Sequence, residues 1–137
     1  MPTGIAAADS APVLLAVSSD PKDLEVLELH LRGWSVRRAA SCADALAMLK
    51  QSACDVILCE KDLPDGGWRD LLAGLGLLRD ALPVVVMSRA ADESMWADVL
   101  RDGGFDLLAK PLEDPEICRV IPSARMHGRP LHSVAAQ

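Results

Sequence analysis

Tyrosine is absent, phenylalanine occurs once and tryptophan three times, so aromatic residues make up 3% of the 137-residue chain. Neither G-x-G-x-x-G nor G-x-x-x-x-G-K-[ST] occurs, and Gly103-Gly104 reads as turn chemistry. Together these absences argue against a phosphate-bearing cofactor. No stretch approaches the roughly twenty apolar residues a membrane span requires. Met1 to Ala11 has neither the basic start nor the apolar run of a signal peptide. Lysine and arginine total 14 against 20 aspartates and glutamates, a net charge of -6 with no basic cluster, which excludes a nucleic-acid surface. The four cysteines, Cys42, Cys54, Cys59 and Cys118, form no C-x-x-C and have no histidine at ligand spacing. They read as structural thiols of a reducing, cytoplasmic protein.

Half the residues are apolar and a quarter charged, the balance of one globular domain able to bury a core. The organising stretch is Asp55-Val56-Ile57-Leu58-Cys59-Glu60. Its continuous apolar run is that of a strand buried on both faces, with an acid where the strand emerges. Similar runs occur at Val13–Val17, Leu82–Met87 and Phe105–Ala109, while Trp34–Ala39 alternates like a half-exposed edge strand. Helical spacing fills the intervals. Asp20-Pro21 pairs an N-cap with a first-turn proline, and Leu24, Leu27 and Leu31 line the helix that follows. Ser41 or Cys42 opens a second helix. A third is expected from Trp68 to Asp80, loosened by Gly74 and Gly76. A fourth runs from Asp92 or Glu93 to Arg101, and a fifth starts near Asp114-Pro115, with a kink or early end expected at Pro122.

Five strands alternating with five helices imply a doubly wound α/β fold: a parallel sheet between two helical layers, joined by right-handed crossovers. The strand order 2-1-3-4-5 suits a polar second strand at the edge. Residues 12–125 form the expected domain, 1–11 a disordered lead-in and 126–137 a flexible tail.

Three signatures carry a family likeness: Val17-Ser18-Ser19-Asp20-Pro21 after the first strand, Cys59-Glu60-Lys61-Asp62-Leu63-Pro64-Asp65-Gly66-Gly67 after the third, and Gly103 to Lys110-Pro111 around the fifth. Over residues 12–125 the chain resembles the receiver domains of two-component response regulators, flavodoxin-like in fold. The resemblance implies an acidic pair that holds magnesium, a phosphoacceptor aspartate, and a hydroxyl and a lysine that contact the phosphoryl group. Position by position these fall on Ser18 and Ser19, Glu60, Ser88 and Lys110. It further implies a cis Lys110-Pro111 bond, and it places the family's aromatic switch residue on Leu107.

Magnesium favours hard anionic oxygens, which Ser18 and Ser19 do not supply. Asp20 is expected to cap its helix rather than bind metal. Glu60 is one methylene longer than aspartate, moving its oxygens by about 1.5 Å, where a misplacement of about 1 Å costs phosphoryl transfer about 100-fold. The expectation is therefore a pseudo-receiver without enzymatic activity. Its degenerate magnesium site (Ser18, Ser19 and Glu60) would bind the ion weakly or not at all. The pocket comprises Ser18, Ser19, Asp20, Asp62, Ser88, Lys110 and Pro111, with Glu60 reaching Lys110 or Ser88 through a charge-assisted hydrogen bond. Such a chain would act as a phosphorylation-independent protein–protein module; the alternative is a phosphoacceptor still modified at Glu60, or at a neighbour, by a histidine kinase. Trp96 and Leu107 mark the expected interface, either for a protein partner or for a homodimer through the fourth helix, fifth strand and fifth helix. No helix-turn-helix or basic patch follows residue 125, so the chain is expected to be a stand-alone receiver or a piece of a longer protein.

Overall fold

The computed structural model describes residues 11–76 and 82–128. Nearly all of the lead-in, the end of the expected third helix and the tail from residue 129 lie outside the described residues. Five strands form the main sheet: β1 (Val13–Val17), β2 (Ser35–Ala39), β3 (Val56–Glu60), β4 (Val84–Ser88) and β5 (Asp106–Ala109). Their order is β2-β1-β3-β4-β5 and every pairing is parallel. The helices are α1 (Pro21–His30), α2 (Cys42–Gln51), α3 (Trp68–Leu75), α4 (Glu93–Arg101) and α5 (Asp114–Gly128). A two-residue antiparallel ladder, Asp62–Leu63 against Gly66–Gly67, follows β3.

Side chains alternate across a strand, so each central strand feeds two cores. Leu15, Val17, Ile57, Cys59, Val84 and Val86 face the layer of α2, α3 and α4, packing with Ala45, Leu71 and Val99. Leu14, Ala16, Val56, Leu58, Val85 and Met87 face α1 and α5, packing with Leu27, Ile117 and Ile121. Edge strand β2 is only partly covered, as its alternation implies. Ser41 and Asp92 cap α2 and α4 as expected, accepting from the Asp44 and Met95 amides. The Asp65 carboxylate adds a second cap to α2 from the loop after β3, accepting from the Cys42 and Ala43 amides at 2.9 and 3.0 Å.

Two expectations are corrected. The third helix ends at Leu75, because Gly76 turns out of it with φ of 57°. The fifth does not stop at Pro122 but runs on to Gly128, past the boundary expected at 125. Proline in a helix costs about 3 kcal/mol; the stripe Ile117, Val120, Ile121 and Ala124, all 1% exposed or less, spans the proline and docks both halves on the sheet. The cysteines are free thiols. Burial pushes Cys54 up to about 12 and, with the carboxylates of Asp65 and Asp70, Cys42 up to about 11.

The turn into β5 is tight. Gly103 has φ of 105°, and a Cβ on Gly104 would stand 2.5 Å from Val99 Cγ1 and 3.1 Å from the Val99 carbonyl oxygen. Gly104→Ala is expected to destabilise the fold by about 1–3 kcal/mol through overpacking, read as a lower urea midpoint with an unchanged m-value.

Candidate functional site

The carboxyl ends of β1, β3 and β5 meet beside the first turn of α1, and each supplies one polar group. Ser18 follows β1, with its amide on the Ala39 carbonyl at 2.9 Å and its side chain buried. Glu60 is the last residue of β3. Lys110 follows β5, its amide donating to the Ser88 carbonyl at 3.0 Å, and the Lys110-Pro111 bond is cis.

The Lys110 ammonium donates to Glu60 Oε1 and to Asp23 Oδ2, both at 2.8 Å. The three side chains are 6%, 14% and 8% exposed, so the cluster is largely withdrawn from water. Ser18 Oγ donates to Asp23 Oδ2 at 2.7 Å and accepts from the Asp20 amide at 2.9 Å. Ser19 Oγ lies 3.3 Å from Glu60 Oε2. Burial works against the charge of Lys110, but the hydrogen bonds and charges of Asp23 and Glu60 outweigh it and hold the lysine above its ordinary range.

Sequence reasoning placed Ser18, Ser19, Glu60 and Lys110 together, and they meet. It missed Asp23. The available signal was spacing: Asp23 precedes Leu27 by four residues and Leu31 by eight, on the stripe that α1 turns toward the sheet. Asp20 caps α1, accepting from the Lys22 amide at 3.0 Å. Ser88 is buried, but its hydroxyl accepts from the Ala90 amide instead of reaching Glu60. Asp62 stands outside the network, its side chain 82% exposed and 3.9 Å from Lys61. Glu60, Asp62, Ser88, Arg89 and Lys110 border a shallow cleft of about 280 Å³.

Among the tryptophans, Trp68 is core and Trp34 packs against the α1–α5 core. Trp96 is exposed and, with half-buried Leu107, lines a separate groove between α4 and the start of α5.

Residues 14–122 match the family model described as response regulator receiver domain. The chain belongs to that family. Curated relatives include the transcriptional regulatory protein ZraR of Salmonella typhimurium, 28% identical over 85% of this chain and 27% of that protein. Another is KdpE of Mycobacterium tuberculosis, 33% identical over 72% of this chain and 44% of that protein. The chain thus spans only part of the length of these relatives. A putative response regulator from Chloroflexus aurantiacus superposes with a TM-score of 0.78 at 30% identity, covering 86% of this chain and all of that one. The CheY-like receiver from Methanospirillum hungatei, at 21% identity and a TM-score of 0.76, covers 87% of this chain and 97% of its own and shares the fold. Membership of this family places the receiver in two-component signal transduction. No described helix is long and apolar enough to cross a membrane.

The receiver's lysine sits between two largely buried carboxylates, and removing it leaves them without their shared cation. Lys110→Met is expected to cost about 3–5 kcal/mol at neutral pH. Because the folded lysine lies above its ordinary value of 10.5, the difference from the native chain stays constant below that pH and shrinks as the pH rises past it. Paired urea titrations from neutral to alkaline pH measure both.

Proposed function

We propose that this receiver is a pseudo-receiver: a phosphorylation-independent protein–protein interaction module of a cytoplasmic signalling pathway, with no enzymatic activity of its own. The observation that carries the reading is the Lys110 ammonium, 2.8 Å from both Asp23 and Glu60. A fixed cation already engages Glu60 at the end of β3 and Asp23 in the first turn of α1, in the place where phosphoryl chemistry would need the acidic oxygens free.

The donor set does not fit magnesium. Ser18 and Ser19 are neutral, Ser18 is committed to Asp23, and Asp20 is committed to its helix. Among the described residues no three histidines, cysteines or acids form a group able to hold a metal. Glu60 then serves as a static partner of Lys110. Partners are other proteins, a histidine kinase among them, reached through the face bearing Trp96 and Leu107. The second reading, a phosphoacceptor modified at Glu60 or nearby, draws support from the open cleft that Glu60 shares with Ser88 and Lys110.

Intact mass after incubation with magnesium and acetyl phosphate separates the two. The native chain is expected to gain no phosphoryl adduct, whereas the Ser18→Asp/Ser19→Asp/Glu60→Asp variant gains one. An adduct mapped to Glu60 of the native chain would establish the second reading instead. Glu60→Gln, which keeps the shape but loses the charge, is expected to lower stability by about 1.5–3 kcal/mol, the usual worth of a charge-assisted hydrogen bond.

A further inference from the structure

The groove between α4 and α5 has a chemical character that specifies its occupant. It encloses about 520 Å³. Its floor is apolar: Trp96, 47% exposed, with Leu107 and Ala109 of β5. Leu100, one turn beyond Trp96 on α4, is 39% exposed and extends this apolar row. The indole is not loose. Its Nε1 donates to Asp106 Oδ1 at 3.1 Å, and the same oxygen accepts the Leu107 amide at 2.8 Å, so β5 itself anchors the ring.

The rim is acidic on both sides. Asp92 and Glu93 open α4, and Glu113 and Glu116 stand at the start of α5. Lys110 is the one cation among the lining residues, and it is spent on Asp23 and Glu60. On the same two helices, Arg119 pairs with the rim residue Glu116 at 2.7 Å, and Arg101 pairs with Asp98 at 2.8 Å. Glu93 and Glu113 are left facing solvent around an exposed tryptophan, with the exposed Asp92 carboxylate beside them capping α4.

We propose that this groove docks a basic, amphipathic segment of a protein partner, with apolar side chains against Trp96 and Leu107 and lysines or arginines along the acidic rim. A second copy of the chain is the poorer occupant. A two-fold dimer sets the same patch against itself, so carboxylate rim would meet carboxylate rim, and like charges across an interface cost several kcal/mol. A net charge of -6 adds long-range attraction for a cationic partner. The inference rests on the interaction-module reading and names the chemistry of its partner.

The test uses the full chain and three synthetic peptides: an amphipathic lysine–leucine helix, the same composition scrambled, and a glutamate–leucine counterpart. The first is expected to bind with a shift in Trp96 emission, identified by comparison with Trp96→Phe, and to weaken as salt rises. Trp96→Ala and the Glu93→Lys/Glu113→Lys pair are each expected to weaken it by about tenfold or more, in line with anchor residues and rim charges. Leu29→Ala, on the exposed side of α1, should leave binding unchanged. Equal binding of the scrambled peptide, or indifference to Trp96→Ala, would reduce the groove to a generic acidic surface and overturn the proposal. So would failure of the amphipathic peptide to bind, or dimerisation by light scattering that Trp96→Ala abolishes. Repeating the titration with magnesium and acetyl phosphate keeps the two readings apart: binding that appears only with the donor retains the groove and sinks phosphorylation independence, while absence of binding in both conditions sinks the groove alone.

Discussion

One ammonium group shared between two carboxylates is the interaction on which this site depends. Lys110, Asp23 and Glu60 come from three separate segments and meet only because the sheet brings its strand ends together beside α1. Withdrawing three charges from water is costly, and the cost is offset only where geometry is close and the remaining hydrogen-bonding capacity is met. Both contacts are short; Ser18 adds a second donor to the Asp23 oxygen that Lys110 holds, and Ser19 reaches the other oxygen of Glu60. The two serines, neutral where the family resemblance implies acids, thus complete the network. Acidic residues at both positions would add negative charge that a single lysine does not balance.

The sheet makes that closeness possible. Parallel pairing puts the carboxyl ends of all five strands on one side, the side where ligands gather in folds of this type. The amides of Lys61 and Lys110 bond to the carbonyls of Met87 and Ser88, so residues at adjacent strand ends have little freedom. Docking α1 through Leu27 and Leu31 aims its first turn, and with it Asp23, at the same point. Side chains of the cluster are therefore placed by the two hydrophobic cores more than by each other.

Much of this was legible in the sequence. Continuous apolar runs marked the buried strands, the alternation of Trp34 to Ala39 marked the edge, and Asp20, Ser41 or Cys42, and Asp92 or Glu93 marked helix starts, because each depends on local chemistry. Pro122 misled because the local penalty was read without the apolar stripe that crosses it. Asp23 escaped notice because a carboxylate in a first helical turn already has a sufficient local explanation, favourable interaction with the helix dipole. Its long-range role depends on Lys110, far along the chain. The exposure of Trp96 and the burial of Trp68 likewise follow from which helix face meets the sheet, and residue type alone does not say this.

The Asp65 carboxylate, holding the Cys42 and Ala43 amides from the loop after β3, has a mechanical consequence. That loop follows Glu60 directly, so two amide hydrogen bonds tie the residues beyond the acid to the start of α2. Glu60 thus lies between two attachments, its own ion pair with Lys110 and, further along the loop, the amide hydrogen bonds of Asp65. A displacement of the loop would have to carry the start of α2 with it or give up both of these cap bonds.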